Sequence, residues 1–262
     1  MQYPSSAVHH GFLNGVSRIA IAAALAISLG ACAAKQNPDI TGSIPTPPTQ
    51  EQARENVDRL GDRYRANDSD PAAAIAYAQA LRRTDQRAQA VAVLEQASIK
   101  NPKHKGLLAE YGRALADVGR LQQALDVLSR SHTPDRPDWR ILNAQGAIYD
   151  QLGNYKEARR FYQTALKIVP EEPSILSNLG LSYILSKDLK QAEATLRRAA
   201  DHPRADRRVR QNLALSLALQ GKFEEAERIA AGDLPPDEAR ENVAALRQMI
   251  KDQQQPRNHP RS

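Results

Sequence analysis

Between Trp139 and Pro170 small and apolar positions recur twice with the period of an amphipathic helix. Leu142, Gly146 and Tyr149 fall at i, i+4 and i+7, and Ala158, Tyr162 and Ala165 repeat that spacing. Gly153 and Asn154 mark a turn between the two runs, and Pro170 closes the second. The pattern predicts two antiparallel helices. Gly146 and Ala158 let the backbones approach, and the tyrosines fill the space beside them.

Moving the template in steps of about 34 residues finds it again in both directions. Forward lie Gly180, Tyr183, Ala192, Leu196 and Ala199, then Ala214, Leu217, Ala226 and Ala230. Backward lie Gly112, Leu115, Ala124 and Leu128, then Ala78, Leu81, Ala90, Leu94 and Ala97. Small residue, aromatic, paired alanines and closing proline at this period resemble the tetratricopeptide repeat. The resemblance implies an all-α fold, a tetratricopeptide-repeat helical solenoid with terminal capping helices, its five repeats spanning residues 71–236.

The flanks read differently. Ala53, Val57, Leu60 and Tyr64 share one helical face but miss the template, so residues 51–70 are expected to be an N-terminal capping helix with its stop signal. Asp70 and Pro71 then provide the N-cap and first turn of the next helix. After the break at Pro235 and Pro236, residues 237–251 carry Val243, Leu246 and Ile250 on one face and are expected to cap the C-terminal end. Residues 252–262 hold no apolar residue besides proline, a composition that predicts disorder.

Ile19 to Leu29 is an uncharged apolar run behind Arg18, the length of a signal-peptide core and short for a membrane span. Extended to Ala34 it becomes a conceivable short, uncleaved anchor. Leu29-Gly30-Ala31-Cys32 follows and resembles the bacterial lipoprotein box, which implies a signal peptide over 1–31 and lipid attachment at Cys32. Ordinary cleavage after Ala33 also fits the small-residue pattern and leaves a soluble periplasmic protein. Residues 32–50 then form a Pro/Thr-rich tether, since Pro38, Pro45, Pro47 and Pro48 forbid a continuous helix.

Candidate chemistry is sparse. The six histidines are scattered without metal-ligand spacing, and no Gly-rich phosphate loop occurs. The single cysteine is committed to the N-terminus. No catalytic residue, metal or cofactor is expected, and the chain reads as a non-enzyme. Its net charge of +6 suits an acidic partner or surface. No basic stripe interleaved with aromatics points to nucleic acid. Arg197, Arg198, Arg204, Arg207, Arg208 and Arg210 form a cluster, readable as a solvated face or as an electrostatic landing site.

In tetratricopeptide arrays the first helix of each pair lines a concave groove. By that resemblance the partner-binding groove presents Asn143, Ala147 and Asp150, then Ser177, Leu181 and Ile184, then Gln211 and Leu215. Ile75, Gln79, Arg82 and Arg113 make its N-terminal end more polar and basic. The family's carboxylate clamp needs lysines that these positions lack.

Gln211-Asn212-Leu213-Ala214, Gln220-Gly221, Ala226-Glu227, the Leu234-Pro235-Pro236 break, Asn242-Val243 and Leu246-Arg247 together resemble the TadD family. These are tetratricopeptide lipoproteins of the tight-adherence, or Flp, pilus assembly system. The resemblance implies a scaffold on the periplasmic face of the outer membrane, membrane-attached through its lipid. Its expected partner is an outer-membrane secretin or another pilus assembly component. The alternative is a periplasmic repeat adaptor that recruits cell-wall enzymes or other envelope proteins.

Overall fold

The computed structural model describes residues 49–133 and 135–254. The expected signal segment, Cys32, nearly all of the tether and residues 255–262 lie outside the described residues. Among the described residues there are twelve α-helices: α1 (Gln50–Ala66), α2 (Pro71–Arg83), α3 (Arg87–Lys100), α4 (Lys105–Asp117), α5 (Leu121–Ser129), α6 (Trp139–Gln151), α7 (Tyr155–Ile168), α8 (Pro173–Leu185), α9 (Leu189–Ala200), α10 (Arg207–Leu219), α11 (Phe223–Ala230) and α12 (Pro236–Gln254).

The five pairs α2/α3 to α10/α11 keep strict register. Their first helices begin at Pro71, Lys105, Trp139, Pro173 and Arg207, and their second at Arg87, Leu121, Tyr155, Leu189 and Phe223, each series stepping by 34 residues. Local chemistry repeats with them. Asp70, His104, Asp138 and Asp206 stand one residue before the first helices and accept a first-turn amide at 2.8–3.0 Å. Each such cap stabilises a helix start by about 1 kcal/mol.

The turn inside each pair also recurs. Asp85, Gly119, Gly153, Lys187 and Gly221 occupy one position, and all five have φ between +62° and +80°. Glycine adopts this left-handed conformation without penalty, whereas a side chain pays a steric cost there. Asp85 and Lys187 therefore hold the turn under strain.

Within a pair the helices close on one small position. A Cβ on Gly112 would lie 2.5 Å from Leu128 Cγ and one on Gly146 2.5 Å from Tyr162 Cε1, and one on Gly180 would run into Leu196 Cγ. The large partners Leu128, Tyr162 and Leu196 are buried, as are Ala124, Ala158 and Ala192 one turn earlier.

Successive pairs stack with a consistent asymmetry. The first helices touch in series, α2 on α4, α4 on α6, α6 on α8 and α8 on α10. The second helices of successive repeats stand farther apart, α9 and α11 meeting through the long side chains of the Arg197–Glu225 ion pair. The stack is thus tighter on its first-helix side, which is the inner face. α1 packs on α2, and α12 packs on α10 and α11 with Ala239 and Val243 buried.

Two substitutions test this account by thermal or denaturant unfolding. Gly146→Val drives a branched side chain into a Tyr162 ring that has no room to retreat, and should destabilise by about 2 kcal/mol or more. Lys187→Gly relieves the left-handed strain and should stabilise by about 0.5–1 kcal/mol.

Candidate protein-binding face

The inner face carries the residues that sequence alone places in a groove, but it does not expose all of them. Gln211 is exposed on α10, and Ala147, Leu181, Ile184 and Leu215 are half-buried along α6, α8 and α10. Asn143 is half-buried too, its carbonyl oxygen accepting from Asn178 Nδ2 at 3.0 Å.

Two expected groove residues are corrected. Ser177 is 0% exposed, and its hydroxyl accepts from Asn212 Nδ2 at 3.0 Å. Asp150 is buried and takes two hydrogen bonds, from the Tyr162 hydroxyl at 2.8 Å and the Ser182 hydroxyl at 2.6 Å. Both side chains join adjacent helices instead of facing a partner. A buried carboxylate needs donors on both oxygens, and Asp150 obtains one from its own repeat and one from the next. Burial raises its pKa above the ordinary carboxylate value, while the Ser182 and Tyr162 hydrogen bonds pull the other way.

Asn178 and Asn212 are the inner-face residues that the groove assignment missed. They sit one repeat apart at a single position of α8 and α10, each half-buried and each donating to the preceding first helix. Their identity at a spacing of one period is a signal that sequence inspection could have found.

Toward the N-terminal end the face becomes charged. Arg82 pairs with the buried Glu110 and, at 2.5 Å, with Asp117, and Arg113 reaches Glu110 at 3.3 Å. Gln79, Arg82, Arg83, Arg87, Glu110 and Asp117 line an open cleft of about 600 Å³ there. The basic character expected at this end is offset by the Glu110 and Asp117 carboxylates.

The arginine cluster is largely neutralised. Arg197 binds Glu193 at 2.7 Å and Glu225 at 2.6 Å, Arg204 binds Glu172 at 2.9 Å, and Arg210 binds Asp233 at 2.5 Å. Arg198 pairs with Glu171. Apart from the Arg197–Glu193 pair within α9, these ion pairs tie helices to other helices or connectors, which argues against an open landing site for an anionic partner. Glu193 gathers several donors, accepting from Arg197, from Lys222 at 2.6 Å and from Gln220 at 2.9 Å. The Lys222 bond, followed by those of Arg197 and Gln220, holds its carboxyl down to about 2, against the cost of desolvation.

Among the described residues no cluster of three or more His, Cys, Asp or Glu side chains is placed to hold a metal ion. No described helix is long and apolar enough to cross a membrane.

Tetratricopeptide-repeat family models match residues 128–173, 151–215 and 201–231. With the paired helices in one register, this decides the family. The chain is a tetratricopeptide-repeat protein. Residues 59–131 also match the model for anaphase-promoting complex, cyclosome, subunit 3. No curated protein matches the chain in sequence at a significant level.

Solved structures with the same solenoid include the anaphase-promoting complex hetero-tetramer Cut9–Hcn1, at TM-score 0.63 and 14% identity over 77% of this chain. This chain spans only 40% of that longer one. PilW, described as a widely conserved type IV pilus biogenesis factor, superposes at TM-score 0.62 with 16% identity, over 74% of this chain and 91% of its own. TTC0263, a thermophilic tetratricopeptide-repeat protein of Thermus thermophilus, gives TM-score 0.57 and 20% identity, over 64% and 91%. At these identities the similarities speak to fold. Tetratricopeptide repeats are protein-interaction scaffolds.

The Glu193 hub makes stability depend on acid. Its folded value is depressed, so its contribution is complete above about 4.5, the ordinary glutamate value, and is lost as pH falls toward 2. Glu193→Gln should therefore lower the melting temperature at pH 7. The gap to wild type should close as the pH of the melting series drops from 5 to about 2.5.

Proposed function

We propose that this tetratricopeptide-repeat protein is a lipid-anchored scaffold of tight-adherence (Flp) pilus assembly, acting at the periplasmic face of the outer membrane. The observation that carries the reading is the coincidence, in one chain, of the lipobox-like Leu29-Gly30-Ala31-Cys32 and the TadD-like stretch from Arg208 to Ile250. PilW, a pilus biogenesis factor by its own description, shares the solenoid. That agrees with the reading at the level of fold. The Flp assignment itself rests on the sequence resemblance.

In this mechanism Cys32 supplies the anchor and the Pro-rich tether supplies reach, up to about 50 Å for sixteen extended residues. Acyl chains at the anchor make membrane attachment stable. The inner face holds an exposed segment of the secretin or of another assembly protein. Half-buried Leu181, Ile184 and Leu215 offer apolar contact, while the Asn143–Asn178 amide pair and Gln211 offer hydrogen bonds beside it. An apolar strip flanked by amides suits an amphipathic helix or an extended peptide with alternating apolar side chains.

Fractionation and pulldown from native membranes test the reading. Wild type should sediment with the outer membrane and bring down a secretin, and Cys32→Ala should become soluble with pili lost. Leu181→Asp/Leu215→Asp, confirmed folded by circular dichroism, should stay on the membrane but lose at least tenfold of the captured secretin. Capture of peptidoglycan hydrolases in place of pilus components would favour the envelope-adaptor reading instead. Normal pili in the absence of the protein would sink the pilus assignment.

A further inference from the structure

The C-terminal helix continues the series of first helices. α12 packs on α10 and α11, as α10 packs on α8 and α9. Val243 is buried 34 residues after the buried Val209, so α12 lies in the register of the repeats. Leu181, Leu215 and Met249 recur at that period on α8, α10 and α12, and make a ladder along the inner face. Leu185 and Leu219 add a second row one turn further along α8 and α10. Leu219 and Met249 are 36% and 37% exposed, and the other three leucines are half-buried.

Charge follows a second line on the same face. α6, α8 and α10 hold a single carboxylate between them, Asp150, and it is buried. Their basic residues are four arginines. Arg210 is bound to the Asp233 carboxylate, and Arg207 donates to the Asp233 carbonyl at 3.5 Å. Arg140 and Arg208 are exposed and have no carboxylate partner among the described residues. They are the second residues of α6 and α10, at one position of the repeat. Leu215 lies two turns beyond Arg208 on the same side of α10. The face thus has a cationic edge and an apolar edge, separated by about 10–11 Å, the width of a helix with its side chains.

Spacing selects the occupant. Packed helices stand about 8–10 Å apart, so the ladder offers sockets at that interval. An α-helix advances about 10 Å in seven residues and returns a side chain to the same face. An extended strand covers that distance in about three residues, which turns successive contacts to opposite faces. The ladder fits a helix laid across α8, α10 and α12, and it does not fit a strand.

We propose that α6, α8, α10 and α12 form one docking strip for an acidic amphipathic helix of a protein partner. The inference rests on the reading of the inner face as the partner-binding surface. It adds α12 to that surface and specifies the chemistry of what binds. Apolar side chains of the partner, repeating every seven residues, enter against Leu181, Leu215 and Met249. Its carboxylates, on the opposite flank, meet Arg140 and Arg208. Two helices apart, these cations stand about 16–20 Å from each other, which matches carboxylates about 11–13 residues apart on a helix.

The test uses the full chain and a fluorescent synthetic peptide of about 21 residues, enough to cross three helices. It carries leucines on a heptad stripe and glutamates along one flank. One control replaces the glutamates with lysines, and another reorders the same residues into strict apolar–polar alternation. By fluorescence anisotropy the glutamate peptide should bind about tenfold or more tighter than either control. Met249→Asp should weaken it by a similar factor, although α12 lies beyond the five repeats. Arg140→Glu/Arg208→Glu should reverse the preference, so that the lysine peptide binds better than the glutamate one. A change that merely disturbs the fold cannot do that.

No binding of the glutamate peptide, equal affinity for either control, or full affinity in Met249→Asp overturns the proposal. Should Met249→Asp not fold, an unreversed preference in the double arginine variant overturns it equally. Secretin capture without peptide binding would sink this inference and leave the pilus reading intact. Peptide binding with the reversed preference, but no pilus component captured, would uphold this inference and count against that reading.

Discussion

The approach of two helices at a position without a side chain governs the rest of the molecule. At Gly112, Gly146 and Gly180 the neighbouring helix lies where a Cβ would sit, and the large residue sixteen positions later occupies that space. Close-packed interiors leave no slack for an extra carbon. These three pairs therefore have one permitted depth of approach, and Ala78 and Ala214 keep the same position small in the first and fifth. Repeating that depth every 34 residues, with caps and left-handed turns at fixed places, produces a stack instead of a single globular core.

Stacking leaves polar groups to be joined across repeats, and it is done with side chains. Asn178 with Asn143, Asn212 with Ser177, Ser182 with Asp150, and the Glu193 hub with Lys222 each tie one repeat to the next. Exposed ion pairs contribute little, but partly buried and bridged ones contribute more. These ties also ration the inner face. Buried groups such as Ser177 and Asp150 are closed to a partner, so the free surface is narrower than the row of first-helix residues suggests. Not every buried group is joined: among the described residues His132 Nδ1 and Gln145 Oε1 at the second-to-third junction, and Ser216 Oγ on α10, have no partner.

The repeat itself was legible along the chain. Periodic small residues, alanines and tyrosines give helices of 3.6-residue period, and their recurrence gives the number of pairs, because both depend on local spacing. Even the first N-cap, Asp70, follows from residue type and place. The site was legible only in outline. Ala147, Leu181, Ile184, Gln211 and Leu215 lie on the inner face, and its charged end is where Arg82 and Arg113 placed it.

Asp150 and Ser177 show the limit. Spacing puts them on the correct helix, yet whether a side chain faces outward or reaches a neighbouring helix depends on a residue some thirty positions away. For Asp150 that residue is Ser182, and for Ser177 it is Asn212. The arginine cluster shows the same limit, since its carboxylate partners arrive from α11 and from the connector before α8. The sequence by itself determined the helices, their pairing and their register, because those arise from contacts between residues close in the chain. Only the tertiary structure decided which polar side chains are consumed between repeats and which remain for a partner, because that depends on distances between repeats that no local period encodes.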